Sequence, residues 1–317
     1  MSAMIRHSRS AVLFAAMLAF VSLSIPLRAD GQDVQQSLRD QYQGKTLVLR
    51  GFYAGNSLRY ESAGTLREGL PGGDWTVDGA IHVDDVRVSR DHVTIHARRL
   101  HLGWVRDSGL TELHDLVGKD KQDQEKNEKR DRAVEIVADL GPGPATTETA
   151  DAMLARIFLN PQDSLADLVP DYWKPCLRAA ASGNDDKNYR SCRFSPDFLA
   201  VPGVAAHPAT TDHPDTDVVS GPVFKVGGGV KPPRAVFQPS PEFNDEARKA
   251  KFQGTANLDL VVDAQGAPTD VRIKDPLGCG LDAKAVQTVK TWKFNPAEKD
   301  GQPVAVQIMV GVQFHLY

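Results

Sequence analysis

Cysteine is scarce in this chain. Three in 317 residues are too few for a disulfide-stapled miniprotein. Net charge is small as well, −4 at pH 7, with a pI near 6.1, which excludes a general polyanion binder. Long apolar runs are missing except at the extreme N-terminus, so a polytopic membrane protein is excluded. With 41% hydrophobic and 25% charged residues, neither a collagen nor a wholly disordered chain fits. Catalytic signatures are absent too: no serine elbow, catalytic Cys/His signature or metalloprotease motif occurs. Gly227-Gly228-Gly229 is no phosphate loop, because Lys231 is followed by Pro232 rather than Ser or Thr. Asp84 and Asp85 are neighbours, so on a strand they point to opposite faces and make no acid–base pair.

What is present begins with an export signal. Met1–Ser10 carries Arg6 and Arg9 and no acid. Ala11–Ile25 is apolar apart from Ser22 and Ser24, Pro26 stops a helix, and Leu27-Arg28-Ala29 offers a cleavage position. Residues 1–29 read as a secretory signal peptide. The alternative is an uncleaved inner-membrane anchor, for which fifteen apolar residues are short. Either way the body of the protein is exported to the periplasm. There Cys176 and Cys192, with fifteen residues between them, can close a loop and pair. Cys279, between Gly278 and Gly280, reads as a small packed residue in a tight turn.

After a polar, mobile start at 30–43, residues 30–140 read as an antiparallel β-rich domain. Strands are expected over Lys45–Tyr53, Ser57–Ser62, Trp75–Val77, Ala80–Val88, His92–Leu102 and Ala133–Leu140. Ala54-Gly55-Asn56 reads as a turn and Asp78-Gly79 as a hairpin. Residues 119–132 hold eleven charges of both signs and read as a solvated loop or exposed helix. His92 and His96 share a strand face near His82 and His101. Zinc is conceivable there, but no carboxylate or cysteine completes a set, so solvated polar residues are the preferred reading and neither metal nor cofactor is expected.

Residues 141–199 read as a helical segment, with pieces at Thr147–Leu159 and Ser164–Leu177 broken at Pro170. Residues 200–229 are a linker rich in Pro, Gly, Thr and Asp, in which His207 and His213 flank Asp212. From 230 the pattern is α+β, with helices on a three-stranded antiparallel sheet. Asn244 caps a helix over Asp245–Phe252. Thr255–Asp263 and Thr269–Lys274 form a hairpin, Leu281, Ala285, Val289 and Trp292 make a helical stripe, and Val304–Tyr317 is the final strand.

Pro232-Pro233-Arg234, the P-E-F and E-A-R around Pro241–Arg248, and Gln253-Gly254-Thr255 come in order. Val262-Asp263-x-x-Gly266, Gly280-Leu281-Asp282 with Ala285, Trp292–Ala297 and Lys299-Asp300-Gly301-x-Pro303-Val304 follow. This ordered set, covering 230–317, resembles the C-terminal domain of the TonB family. The resemblance implies a non-enzymatic periplasmic module that grips an extended peptide of an outer-membrane transporter and passes on inner-membrane energy. Asn244 departs from the family's usual proline, and the apolar stretch 11–25 lacks the intramembrane histidine of energy-coupled members, since His7 precedes it. A fully extended linker of about 34 residues would reach only about 100 Å. The alternative is therefore a soluble periplasmic structural or cell-wall-associated protein without energy coupling. An enzyme would instead require a convergent polar pocket within residues 44–140.

In the resembling family the last strand accepts the partner peptide. An uncovered edge offers backbone N–H and C=O groups for strand addition, with Gln307, Met309, Gln313 and His315 as outward, selective side chains, or alternatively it forms a homodimer. Intact mass of the envelope-purified protein should correspond to a chain beginning near Asp30; a full-length mass would make residues 11–25 an anchor instead.

Overall fold

The computed structural model describes residues 31–105, 107–113, 132–182, 188–205 and 221–316. The signal segment, most of the charged run at 119–132, the linker stretch 206–220 with His207 and His213, and Tyr317 lie outside the described residues.

The described residues begin with helix α1 (Gly31–Tyr42) where a mobile start was expected. Val34 and Leu38, spaced one turn apart, are buried there against the sheet, and this apolar pair is what orders the segment. Strands β1 (Thr46–Val48), β2 (Ala54–Tyr60), β3 (Leu66–Leu70), β4 (Ala80–Val88), β5 (His92–Arg99), β6 (Leu102–Val105), β7 (Gly109–Glu112) and β8 (Ala133–Asp139) follow. Six of them form one sheet in the order β1-β4-β5-β8-β2-β3, while β6 and β7 make a separate ribbon. The sheet is mixed rather than purely antiparallel, because β2 runs parallel to β8 from Ser57↔Glu135 to Tyr60↔Ala138. Strict alternation along β5 buries Val93, Ile95 and Ala97 and leaves His92, Thr94 and His96 on the wetter face, as the period-two pattern predicts.

Several local expectations are overturned. Trp75–Gly79 is a π-helical turn, not a strand followed by a hairpin, because Asp74 accepts a hydrogen bond from the Thr76 backbone N–H and winds the chain. The turn between β4 and β5 falls at Arg90-Asp91, in the break expected between those two strands, where the Ser89 N–H donates to the His92 carbonyl. Ala54-Gly55-Asn56 begins β2; the bend falls just before it, with Phe52 at φ 47°. A bulge between Val83 and Asp85 places an extra residue between the buried Val83 and Val86, so both adjacent aspartates stand off the core face rather than on opposite faces, and Asp85 pairs with Arg39 and Arg87.

Helix α2 (Thr147–Ile157) starts on a reciprocal capping box between Thr146 and Thr149. It buries Ala150, Met153, Leu154 and Ile157 in a core shared with α1 and the six-stranded sheet. Short helices α3 (Leu165–Leu168), α4 (Lys174–Ala181) and α5 (Pro196–Leu199) follow, with a 3-10 turn at Asp171–Trp173 after Pro170. Cys176, on α4, is disulfide-bonded to Cys192, with Cα atoms 5.4 Å apart.

The C-terminal unit contains β9 (Phe224–Lys225), β10 (Val230–Lys231), β11 (Arg234–Phe237), helix α6 (Asp245–Lys249), β12 (Gly254–Val262), β13 (Pro268–Asp275), helix α7 (Leu281–Val289), β14 (Lys293–Asn295), β15 (Ala297–Lys299), β16 (Gln302–Val304) and β17 (Val306–Phe314). Asn244 caps α6 as expected, its side-chain oxygen accepting from the Ala247 N–H at 2.9 Å. The helix stops at Lys249, short of Phe252, since Lys251 sits at φ 50°. The main sheet has four strands rather than three, in the order β13-β12-β17-β9. Its extra strand, β9, comes from the segment read as linker. Among the described residues no helix is long and apolar enough to cross a membrane.

The two units share one core. Trp75, Leu102, Leu113, Trp173 and Cys192 belong to the same buried cluster as Leu258, Leu277, Leu281 and Phe314. The joint is also bonded through the backbone. Gly103 and Gly278 form an antiparallel bridge, the Trp104 N–H donates to the Leu277 carbonyl at 2.9 Å, and the Cys279 N–H donates to the Leu102 carbonyl at 2.7 Å. A Cβ on Gly278 would lie 2.6 Å from the Gly103 Cα, so the approach requires glycine. The Thr76 hydroxyl donates to Asp74 and accepts from the Gly280 N–H at 2.8 Å. Asp282, fully buried, accepts from the Leu277 and Gly278 N–H groups. Burial outweighs those two donors and pushes its carboxyl up to about 7, with the Asp74 carboxylate adding to the effect.

Two outcomes are expected. Replacing both Cys176 and Cys192 with serine should cost about 3 kcal/mol in urea unfolding, the loop-closure value for a ring of this size; an unchanged midpoint would show that the bond adds nothing to this fold. Thr76→Val keeps the side-chain shape but leaves the Gly280 N–H and Asp74 short of a partner. It should cost about 2 kcal/mol, with amide exchange accelerated at residues 277–281 before other segments. Uniform acceleration along the chain would remove Thr76 from the joint.

Candidate functional site

The final strand β17 is built by alternation. Val306, Val312 and Phe314 are buried, Ile308 and Val310 are half-buried against the same core, and Gln307, Met309, Gly311 and Gln313 face solvent. Phe243 packs edge-on against Phe314 at 5.5 Å. On one side β17 pairs with β12 along its full length, from Val262↔Val306 to Gly254↔Phe314. On the other side β9 runs parallel to its first two residues, Val306↔Phe224 and Gln307↔Lys225, and stops.

The register identifies which backbone groups remain. The Ala305 carbonyl accepts from the Phe224 N–H at 2.9 Å, so odd-numbered residues of this strand turn their N–H and C=O toward β9. Beyond Gln307 those are Met309, Gly311 and Gln313, and among the described residues no strand lies against them. Met309 is 58% exposed at the centre of this stretch. Strand pairing ends where the Leu316 N–H donates to the Gln253 side chain at 3.1 Å.

Of the four side chains expected along the edge, the fold places Met309 and Gln313 on its open part. His315 lies just past the end of β17 and is exposed. Gln307 is exposed, but its backbone is opposite Lys225, so the expectation that no segment covers this strand is corrected for its first two residues. Sequence reasoning missed β9 because two residues have no detectable period. Its one signal is the ring of Phe224, which lies beneath the Lys299 ammonium at 4.5 Å.

The histidines considered for zinc do not gather. His92 pairs with Asp91 at 2.8 Å, His96 is 3.9 Å from Glu135, and His82 stands opposite Arg98. No group of three or more His, Cys, Asp or Glu residues that could hold a metal occurs among the described residues. Cys279 is buried, its thiol pushed up to about 12 by burial and then by the carboxylates of Glu246 and Asp74, so it is an unreactive packed residue.

A cavity lined by several charged side chains does exist, but not within residues 44–140 alone. It lies where the β-rich unit meets α6 and α7, and no sequence motif marks it. Arg99 forms part of its wall. Its guanidinium donates to the carbonyls of Asp78 (2.7 Å), Tyr53 (2.7 Å) and Gly55 (2.8 Å) and sits 3.4 Å from the Asp78 carboxylate. Burial raises the Asp78 carboxyl to about 6 against the pull of Arg99.

Comparison with known proteins bears on the C-terminal unit. A family model described as Gram-negative bacterial TonB protein C-terminal matches residues 239–316. Over 87 residues the chain is 34% identical to Protein TonB of Vibrio cholerae serotype O1, which covers 27% of this chain and 36% of that protein. It is 31% identical over 82 residues to Protein tonB2 of Pseudomonas aeruginosa (26% and 30%) and 35% identical over 77 residues to Protein TonB of Xanthomonas campestris pv. campestris (24% and 34%). The chain thus spans about a third of the length of these curated relatives. The solution NMR structure of the Pseudomonas aeruginosa TonB CTD aligns at 16% identity and a TM-score of 0.23, covering 29% of this chain and 93% of that one. The family match falls on the unit that carries the ordered motifs, and it is this C-terminal unit, residues 239–316, that is similar to the TonB C-terminal domain.

Proposed function

We propose that this protein is a non-enzymatic, TonB-like adaptor of the cell envelope, exported to the periplasm. It takes an extended peptide of an outer-membrane transporter onto the open edge of β17 and so supports transmembrane transport. The observation that carries this reading is the row of outward backbone groups at Met309, Gly311 and Gln313, which ends where β9 stops. An incoming strand would bond to those groups, with Met309 and Gln313 contributing selectivity and His315 flanking the end. Main-chain bonds supply affinity in such pairing, so a range of sequences can bind. A second copy of the chain could pair through the same edge, and that homodimer competes with the peptide for it.

One observation favours the second reading, a periplasmic structural or cell-wall-associated protein without energy coupling. The TonB-like unit is bonded to the β-rich unit through the Gly103–Gly278 bridge and a shared core. A module fixed in this way does not swing on an arm. Retention in washed membranes favours an anchored coupling role, and release favours the second reading.

Met309→Pro tests the edge. It removes an outward N–H that makes no bond to β12 and leaves the buried face of β17 intact. Binding of a synthetic peptide from the periplasmic N-terminal segment of an outer-membrane transporter should weaken at least about tenfold, a cost of about 1.4 kcal/mol, with an unchanged circular dichroism spectrum. A folded Met309→Pro protein that binds like the parent means that this edge is not the docking site. Proline at Gln307 would instead disturb β9.

A further inference from the structure

The cavity between the two units has a volume of about 850 Å³, within the range that holds a small-molecule ligand. Cations reach it from three parts of the fold. Arg99 and Arg132 come from the ends of β5 and β8, Lys249 and Lys251 from the C-terminal end of α6, and Lys284 from the first turn and a half of α7. The acids there are largely committed. Asp78 lies beside Arg99, and Asp74 is turned to Thr76, whose backbone N–H and hydroxyl both bond it. Arg132 shares Glu112, at 3.5 Å, with Arg98 at 3.9 Å. Glu246 is then the one remaining carboxylate in the lining. Lys284 is half-buried, and among the described residues neither it nor Lys251 is in an ion pair. An anion entering the cavity would meet these two ammonium groups uncompensated by a carboxylate.

We propose that this cavity is a binding site for a small soluble oxyanion, a solute carrying more than one phosphate or carboxylate group, held chiefly by Lys284, Lys249 and Arg132. Polar side chains of Asn56 and Gln287 also line the space and suit the hydroxyl or amide groups of such a solute. His101 reports on the local field. Its imidazole is held down to about 3, first by burial and then by Arg132, Arg99 and Lys249, which marks the interior as electropositive. The site is independent of the β17 edge and stands whether or not that edge binds a peptide. Because its walls come from both units, a bound anion would clamp them together.

The test uses the full exported chain with inorganic phosphate and citrate as probes, at fixed ionic strength set by chloride. Calorimetry should show saturable binding of at least one probe, and the thermal unfolding midpoint should rise with its concentration. In parallel, the His101 imidazole followed by NMR should titrate at higher pH as the site fills, because the anion offsets the cations around it. Lys284→Gln should weaken binding about tenfold, the loss of one charge-assisted contact, and Lys249→Gln with Lys284→Gln should weaken it further. Lys284→Gln should stay folded without anion, with the parent's circular dichroism spectrum, since Lys284 is in no ion pair among the described residues.

Three outcomes overturn the proposal. The first is no saturable binding of either probe, and the second is binding unchanged in the double variant. The third is association with phosphatidylglycerol vesicles in the absence of any saturable phosphate or citrate binding, which would assign the cations to a lipid surface.

Discussion

The contact on which the rest of the structure depends is the approach of two glycines, Gly103 from the β-rich unit and Gly278 from the TonB-like unit. A side chain at Gly278 would hold the backbones apart, and one at Gly103 would strike Leu113; without that approach the flanking hydrogen bonds from Trp104 to Leu277 and from Cys279 to Leu102 cannot close. Around them the segment 277–280 is tied down by Asp282 on one side and Thr76 on the other. Trp75, Trp104 and Trp173 fill the adjoining space, with ring centroids 5.3 to 5.9 Å apart. All three indole N–H groups are buried without a partner among the described residues. Each costs about 1–3 kcal/mol as an unmade bond. The joint therefore combines satisfied backbone hydrogen bonds with three large rings whose packing offsets their unmade N–H bonds.

Edges explain much of the remaining architecture. The outer half of β4 has no strand beside it beyond His82, where β1 ends. Gln35 and Arg39 of α1 cover it, with the Gln35 amide bonding both the Val86 carbonyl and the Val88 N–H much as a neighbouring strand would. The burial of Val34 and Leu38 that orders α1 also holds these two polar side chains over the edge. On β17 the cover is only two residues long. One exposed edge is closed by side chains and another is left open over Met309–Gln313, and this contrast makes the second a candidate for pairing in trans.

What the sequence revealed follows the range of the interactions concerned. The faces of β5, β12 and β17, the stripe of α7, the Asn244 cap and the pairing of Cys176 with Cys192 all rest on neighbours a few residues apart or on a single closed loop. They could be read from spacing. The turn at Trp75–Gly79 could not, because Asp-Gly is a hairpin signal unless a preceding aspartate captures the backbone first. The parallel pairing of β2 with β8 brings together residues 78 positions apart, such as Ser57 and Glu135, and leaves no local pattern. Likewise the bond from Gly280 to Thr76 spans 204 positions.

The same reasoning explains why the ionic cavity is invisible before folding. Arg99 ends a strand, Lys249 ends a helix, and Arg132 closes a charged run that reads as solvated surface. Each alone is an ordinary surface cation. They are brought together only because the glycine joint presses α6 and α7 against the ends of β5 and β8, where Arg99 and Arg132 are buried while Lys249 stays exposed. His101 registers that change, since its imidazole would titrate normally on an exposed strand end and is here held neutral by burial among like charges. A resemblance confined to the C-terminal domain carries no information about such a site, because half of its wall belongs to the unit that the family match does not reach. The electropositive cavity is a property of the pairing of the two units, and whatever fills it would stabilise that pairing rather than either unit alone.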